Sequence, residues 1–121
     1  MTWISLIVGS VAGGVARYVV AGEIYKAVGK SFPYGTLLVN ISGCFIIGIL
    51  HSFSETKVWF GPQERLFLIT GFCGAYTTFS TFMAETAFLI KQGELMHAFL
   101  NVSLSLVVGF AFYRLGERLV S

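Results

Sequence analysis

The chain has 121 residues, 55% of them hydrophobic and 12% charged, with a mean hydropathy of +0.79 and a formal net charge of +2. This balance is too apolar and too charge-poor for an ordinary water-soluble domain, and the slight positive charge, without a basic run, excludes a nucleic-acid binder. Because a crossing takes about 20 residues, four spans with short loops use nearly all of residues 1–121, which read as one all-α transmembrane domain with no room for a soluble catalytic domain.

The first residues carry neither a basic n-region nor a small-residue cleavage site, so the first apolar run is expected to stay as a span. It covers about Trp3 to Tyr18, extends toward Ala21, and is expected to end at Gly22 and Glu23, ahead of a short amphipathic stretch holding Lys26 and Lys30. Trp3 has the position of an interfacial anchor. The second span is expected after Pro33, whose missing N–H suits a first helical turn, and runs to about Phe53. The polar segment SETKVWFGPQER then forms a loop with Trp59 and Phe60 at headgroup level. A third span covers about Leu66 to Ile90, and a fourth about Ala98 to Tyr113, after the linker KQGELMH. Spacings such as Gly9-xxx-Gly13, Gly43 to Gly48 and Gly71-xx-Gly74 suit close helix packing. Cys44 and Cys73 lie in apolar runs without a CxxC or Cys/His cluster and read as packing residues, while His51 and His97 read as interfacial.

With four crossings, Lys57, Arg65, Arg114 and Arg118 fall on one side and Arg17, Lys26, Lys30 and Lys91 on the other. Orientation follows the Lys/Arg excess of cytoplasmic loops, and four against four gives none. A small four-span chain without an orientation signal is expected to insert both ways and to assemble as an antiparallel, dual-topology homodimer.

Residues 71–82, GFCGAYTTFSTF, put two glycines and the hydroxyls of Thr77, Thr78, Ser80 and Thr81 at mid-membrane. Ser, Thr and Gly loosen a helix, so the third span is expected to break near its middle, where irregular backbone survives only in a protein interior or polar cavity. Such discontinuities commonly offer free carbonyls to a cation. Phe79 and Phe82, three apart, share a helix face; most such pairs are core or lipid-facing, but here hydroxyls interleave with them. Aromatic ring edges are positive and beside hydroxyl donors can hold a small anion weakly enough to release it. Asn40 is an amide in an otherwise apolar span and needs a partner, either a purely structural hydrogen bond or an ion. Glu85 follows one turn beyond the phenylalanines, as a partner for hydroxyls, a relay at the pore mouth or a coupling residue. Asn101 and Ser105, four apart, share a face of the last span. No nucleophile, base and orienting group fall at usable spacing for an enzyme.

Three blocks, GGVARY (Gly13 to Tyr18), GTLLVNISGCFIIG (Gly35 to Gly48) and GFCGAYTTFSTFMAE (Gly71 to Glu85), resemble the signatures of the Fluc/CrcB family of bacterial fluoride channels. The third block is the specific one, and chain length and span number agree with it. Ala75 stands where the family pattern has a second glycine, and the last span has no distinctive block. The resemblance implies a passive exporter of fluoride in the inner (plasma) membrane, protecting against fluoride toxicity. It further implies an antiparallel homodimer with two fluoride pathways and a sodium ion on the two-fold axis. Residue by residue, it places Phe79, Phe82 and Asn40 in the pore, Ser80 and Thr81 on a polar track with Glu85 near its end, and Asn101 and Ser105 on the pathway by position. It gives the carbonyls of Gly74 and Thr77 to sodium, and Arg17 to an electropositive vestibule or a structural pairing. A dual-topology small multidrug transporter has the same size but relies on a carboxylate in its first span, which this chain lacks. A non-transporting membrane scaffold would use the same polar groups as glue.

Overall fold

Lipid offers backbone amides no hydrogen-bond partners, so every crossing must satisfy its own. In the computed structural model, which describes residues 1–120, the chain does this with helices, and no strand occurs among the described residues. Four stretches are long and apolar enough to cross a membrane: Thr2–Val28, Tyr34–Thr56, Pro62–Lys91 and Leu95–Val120.

Each helix runs further than hydropathy alone suggests. The first does not stop at Gly22, because a single interior glycine costs a helix only about 1 kcal/mol while the bonds on either side continue. It ends at Gly29, whose φ of 84° breaks the helical path as its N–H caps the Tyr25 carbonyl at 2.8 Å. The expected amphipathic stretch is therefore the last two turns of this helix. The second helix begins at Tyr34, directly after Pro33. The last runs through the charged RLGER segment, where Arg114 and Glu117 pair at 3.3 Å.

Arg17 lies inside the first helix, not in a loop. The Lys/Arg balance of loops and helix ends is therefore four (Lys57, Arg65, Arg114, Arg118) against three (Lys26, Lys30, Lys91), still without a weighty excess on either side.

Small residues set the packing. A Cβ on Gly9 or Gly13 would collide with the carbonyl of Phe67 or Phe72, so the first helix lies directly on the backbone of the third span. Gly48 and Gly116 play the same part between the second and last helices, facing the carbonyls of Tyr113 and Phe45. Val39, Cys73 and Asn101 are the fully buried side chains at the centre.

The third span is irregular. Pro62–Glu64 opens it, with the Glu64 carboxylate accepting the Gly61 N–H at 2.9 Å. Arg65–Cys73 is wound as a π-helix, and Gly74–Tyr76 makes one α-turn. Thr77 is extended (φ −88°, ψ 156°), and α-helix resumes over Ser80–Lys91, with the Phe79 carbonyl accepting the Met83 N–H at 2.9 Å.

Candidate functional site

Asn40 faces the irregular stretch and holds it from both sides. Its Oδ1 accepts the Thr78 N–H at 2.9 Å and its Nδ2 donates to the Thr78 carbonyl at 3.0 Å. The pair of bonds fixes which end of the amide is oxygen, and one N–H of Asn40 is left over. In a continuous helix the Thr78 N–H would bond the Gly74 carbonyl, and the Thr81 N–H that of Thr77. Here the first goes to Asn40 and the second to Thr78 Oγ1 at 3.3 Å, so both carbonyls lose their helical donors. Gly43 makes room for this arrangement, since a Cβ there would strike the Thr77 methyl.

Beside the clamp lies a cavity of about 350 Å³ lined by Asn40, Phe79, Phe82 and Ser105. The two rings stand 6.0 Å apart, centre to centre, and tilted by 56°. Phe82 is buried, whereas Phe79 is 73% exposed on the surface of the single chain. Ser105 Oγ is buried without a hydrogen-bond partner. A buried hydroxyl normally finds one, so Ser105 and the spare Asn40 N–H are donors available to an anion.

A second cavity, of about 610 Å³, is lined by Arg17, Lys26, Lys30, Thr78, Thr81 and Glu85 among others. Thr78 borders both cavities. Arg17 lines the second cavity, and its Nε donates to the Ala75 carbonyl at 3.1 Å. Ala75 thus supplies a carbonyl to the irregular turn in spite of its departure from the glycine pattern.

Residues 4–117 match the family profile described as CrcB-like protein, Camphor Resistance (CrcB). The chain belongs to the CrcB-like family. It is 46% identical over 104 residues to a protein of Geotalea daltonii, covering 86% of this chain and 84% of that one. It is 44% identical over 111 residues to one of Prosthecochloris aestuarii, covering 92% and 86%. A Bradyrhizobium diazoefficiens protein is 42% identical over 104 residues, covering 84% and 76%. The first two bear the name fluoride-specific ion channel FluC, and the third FluC 2.

Not every residue singled out by sequence lines these two cavities of the CrcB-like chain. Asn101 is 1% exposed and sits between the resumed part of the third span and the last helix, its Nδ2 donating to Thr86 Oγ1 at 3.0 Å. Thr86 in turn donates to the Phe82 carbonyl at 2.8 Å, so Asn101 supports the helix that carries Phe82 from behind. Ser80 is exposed beside Phe79 on the chain's surface. Sequence reasoning missed Tyr25, Thr36 and Thr86. Tyr25 was hidden in a segment read as leaving the membrane, and Thr86 is one polar residue among apolar neighbours, as packing threonines commonly are.

Proposed function

We propose that this chain is a fluoride-selective channel, not an enzyme, and that it lets F⁻ leave the cell passively as an antiparallel homodimer. The observation that carries the reading is the convergence of Phe79, Phe82, the spare N–H of Asn40 and the unpartnered Ser105 hydroxyl on one cavity. It occurs in a family with members named for fluoride conduction. Fluoride must exchange strongly held water for donors that are neutral, so that it is bound without being trapped. Ring edges and hydroxyls meet that requirement. Thr81 extends the donors along the route, Glu85 stands near its outer end, and Arg17, Lys26 and Lys30 raise the local anion concentration. Fluoride that enters a cell as the neutral acid dissociates inside, and its exit as the anion through the inner (plasma) membrane removes the toxic ion.

Three features favour the dimer. A chain this small encloses no lumen of its own. Phe79, Gly74 and Ser80 are exposed at the depth of the irregular turn, where loosened backbone facing lipid is costly. The cations of loops and helix ends, four against three, permit either orientation. An inverted second copy covers this surface with the same surface. The Gly74 and Thr77 carbonyls, deprived of helical donors, are neutral hard oxygens of the kind that bind sodium, and two copies supply four. In this reading they hold a structural Na⁺ on the two-fold axis, which contributes a fixed positive charge and stiffens the interruption of the third span.

The test is fluoride efflux from liposomes containing the purified chain, followed with a fluoride-selective electrode. Rapid fluoride release with chloride retained is the expected result. Chloride release at a comparable rate, or no release of either ion, overturns the reading.

A further inference from the structure

Tyr25 lies outside all three sequence blocks, yet several groups converge on it. Its hydroxyl donates to Glu85 Oε2 at 3.3 Å and accepts the Thr36 N–H at 3.4 Å. Thr36 is in the first turn of the second helix, where backbone amides have no carbonyl within the helix to bond, so the tyrosine oxygen satisfies an otherwise open donor. Lys30 Nζ stands 6.0 Å from the ring centre. The ring is seated against Gly35, where an added Cβ would come within 2.5 Å of Tyr25 Cε2.

Two cavities meet here. The vestibule of about 610 Å³ leads to Thr78 and Thr81, while a neighbouring space of about 500 Å³ is walled by Pro33, Phe88 and Leu89. Tyr25, Lys30 and Glu85 line both and form the partition between them. Glu85 Oε1 is buried without a partner, which leaves the bond from Tyr25 as the one hydrogen bond its carboxyl receives among the described residues.

From this we infer that Tyr25 is a positioning residue of the ion pathway: it pins the Glu85 carboxylate at the partition between the two cavities. Released, the carboxylate is drawn into the vestibule toward Arg17 and Lys26, because opposite charges in a shielded space attract strongly. There it neutralises the groups that draw anions in and stands in the mouth leading to Thr81. The transport consequence rests on the fluoride-channel reading, while the pinning of Glu85 does not.

Tyr25→Phe keeps the ring on Gly35 and removes only the hydroxyl. It should slow fluoride efflux about tenfold, the scale of one lost hydrogen bond to a charged group. Gly35→Ala, which displaces the ring, should do the same. In a Glu85→Gln background there is no charge to release, and adding Tyr25→Phe should change efflux by less than about twofold. Equal slowing in both backgrounds would mean a merely structural tyrosine and overturns the inference. An infrared difference spectrum between wild type and Tyr25→Phe should contain a shifted carboxyl band that is missing from the same comparison made on Glu85→Gln. A band that does not move overturns the positioning role whatever the wild type transports. A wild type that carries no fluoride, with the band still moving, overturns the channel reading and leaves the pinning intact.

Discussion

Phe79 and Phe82 face one cavity but live in different surroundings within the single chain. Phe82 is 7% exposed and backed by the Thr86 to Asn101 contact, while Phe79 is 73% exposed on the single chain. Ile keeps most of the apolar volume, at a packing cost of about 1.5 kcal/mol or less, but presents no positive ring edge. Phe82→Ile and Phe79→Ile, the second at a surface that the proposed partner copy covers, should therefore each lower the unfolding temperature in detergent only slightly, while both cut fluoride efflux by about tenfold or more. Size-exclusion chromatography should find both still dimeric. Wild-type efflux in either variant would put the anion elsewhere. Asn40 makes the same point about kind over polarity: only an amide both accepts from and donates to Thr78 and keeps a further N–H.

Among the helices, neighbouring glycines have opposite roles. Gly13 lies against the Phe72 carbonyl, with no space for a Cβ, whereas nothing stands within 4 Å of a Cβ on Gly14. Gly13→Ala forces two backbones apart and should destabilise by about 1–3 kcal/mol. Gly14→Ala relieves the helix of a flexible residue and should be neutral or stabilising by up to about 1 kcal/mol. Thermal unfolding of the two variants in the same detergent checks the contrast, and equal effects would show that the first helix is not seated on the third span in this way. The GxxxG spacing of Gly9 and Gly13 was readable as a packing signal. That Gly74, from a similar spacing, meets nothing of its own chain closer than the Ile69 carbonyl at 3.9 Å was not, because spacing gives a helix face and not its neighbour.

For the whole molecule the open question is orientation. Four cations against three leave the two insertions nearly equal in energy, so a compartment-sensitive reporter on the C-terminus should give signal from both sides of the membrane. Two lysines added to the loop around Lys57 should bias that signal to the cytoplasm. They should also abolish efflux unless an oppositely biased chain is co-expressed. A one-sided signal from the unaltered chain would sink dual topology.

Four apolar crossings were legible because transfer to lipid is summed over contiguous residues and needs no knowledge of partners. The Pro33 start of the second helix was local in the same sense. The grouping of Phe79, Phe82 and Asn40 was suggested by family resemblance rather than spacing, and Ser105 beside them by position alone. What the tertiary structure alone decided concerns pairs. Tyr25 reaches Glu85 across 60 positions, Asn101 turns to Thr86 instead of the phenylalanine cavity, and Asn40 takes the amide owed to Gly74. Each depends on the rotation and depth of two helices set by glycine contacts. A shift of one residue turns a side chain by about 100° around its helix, so the partner of a polar group in a membrane is fixed by packing and cannot be read from one strand of sequence.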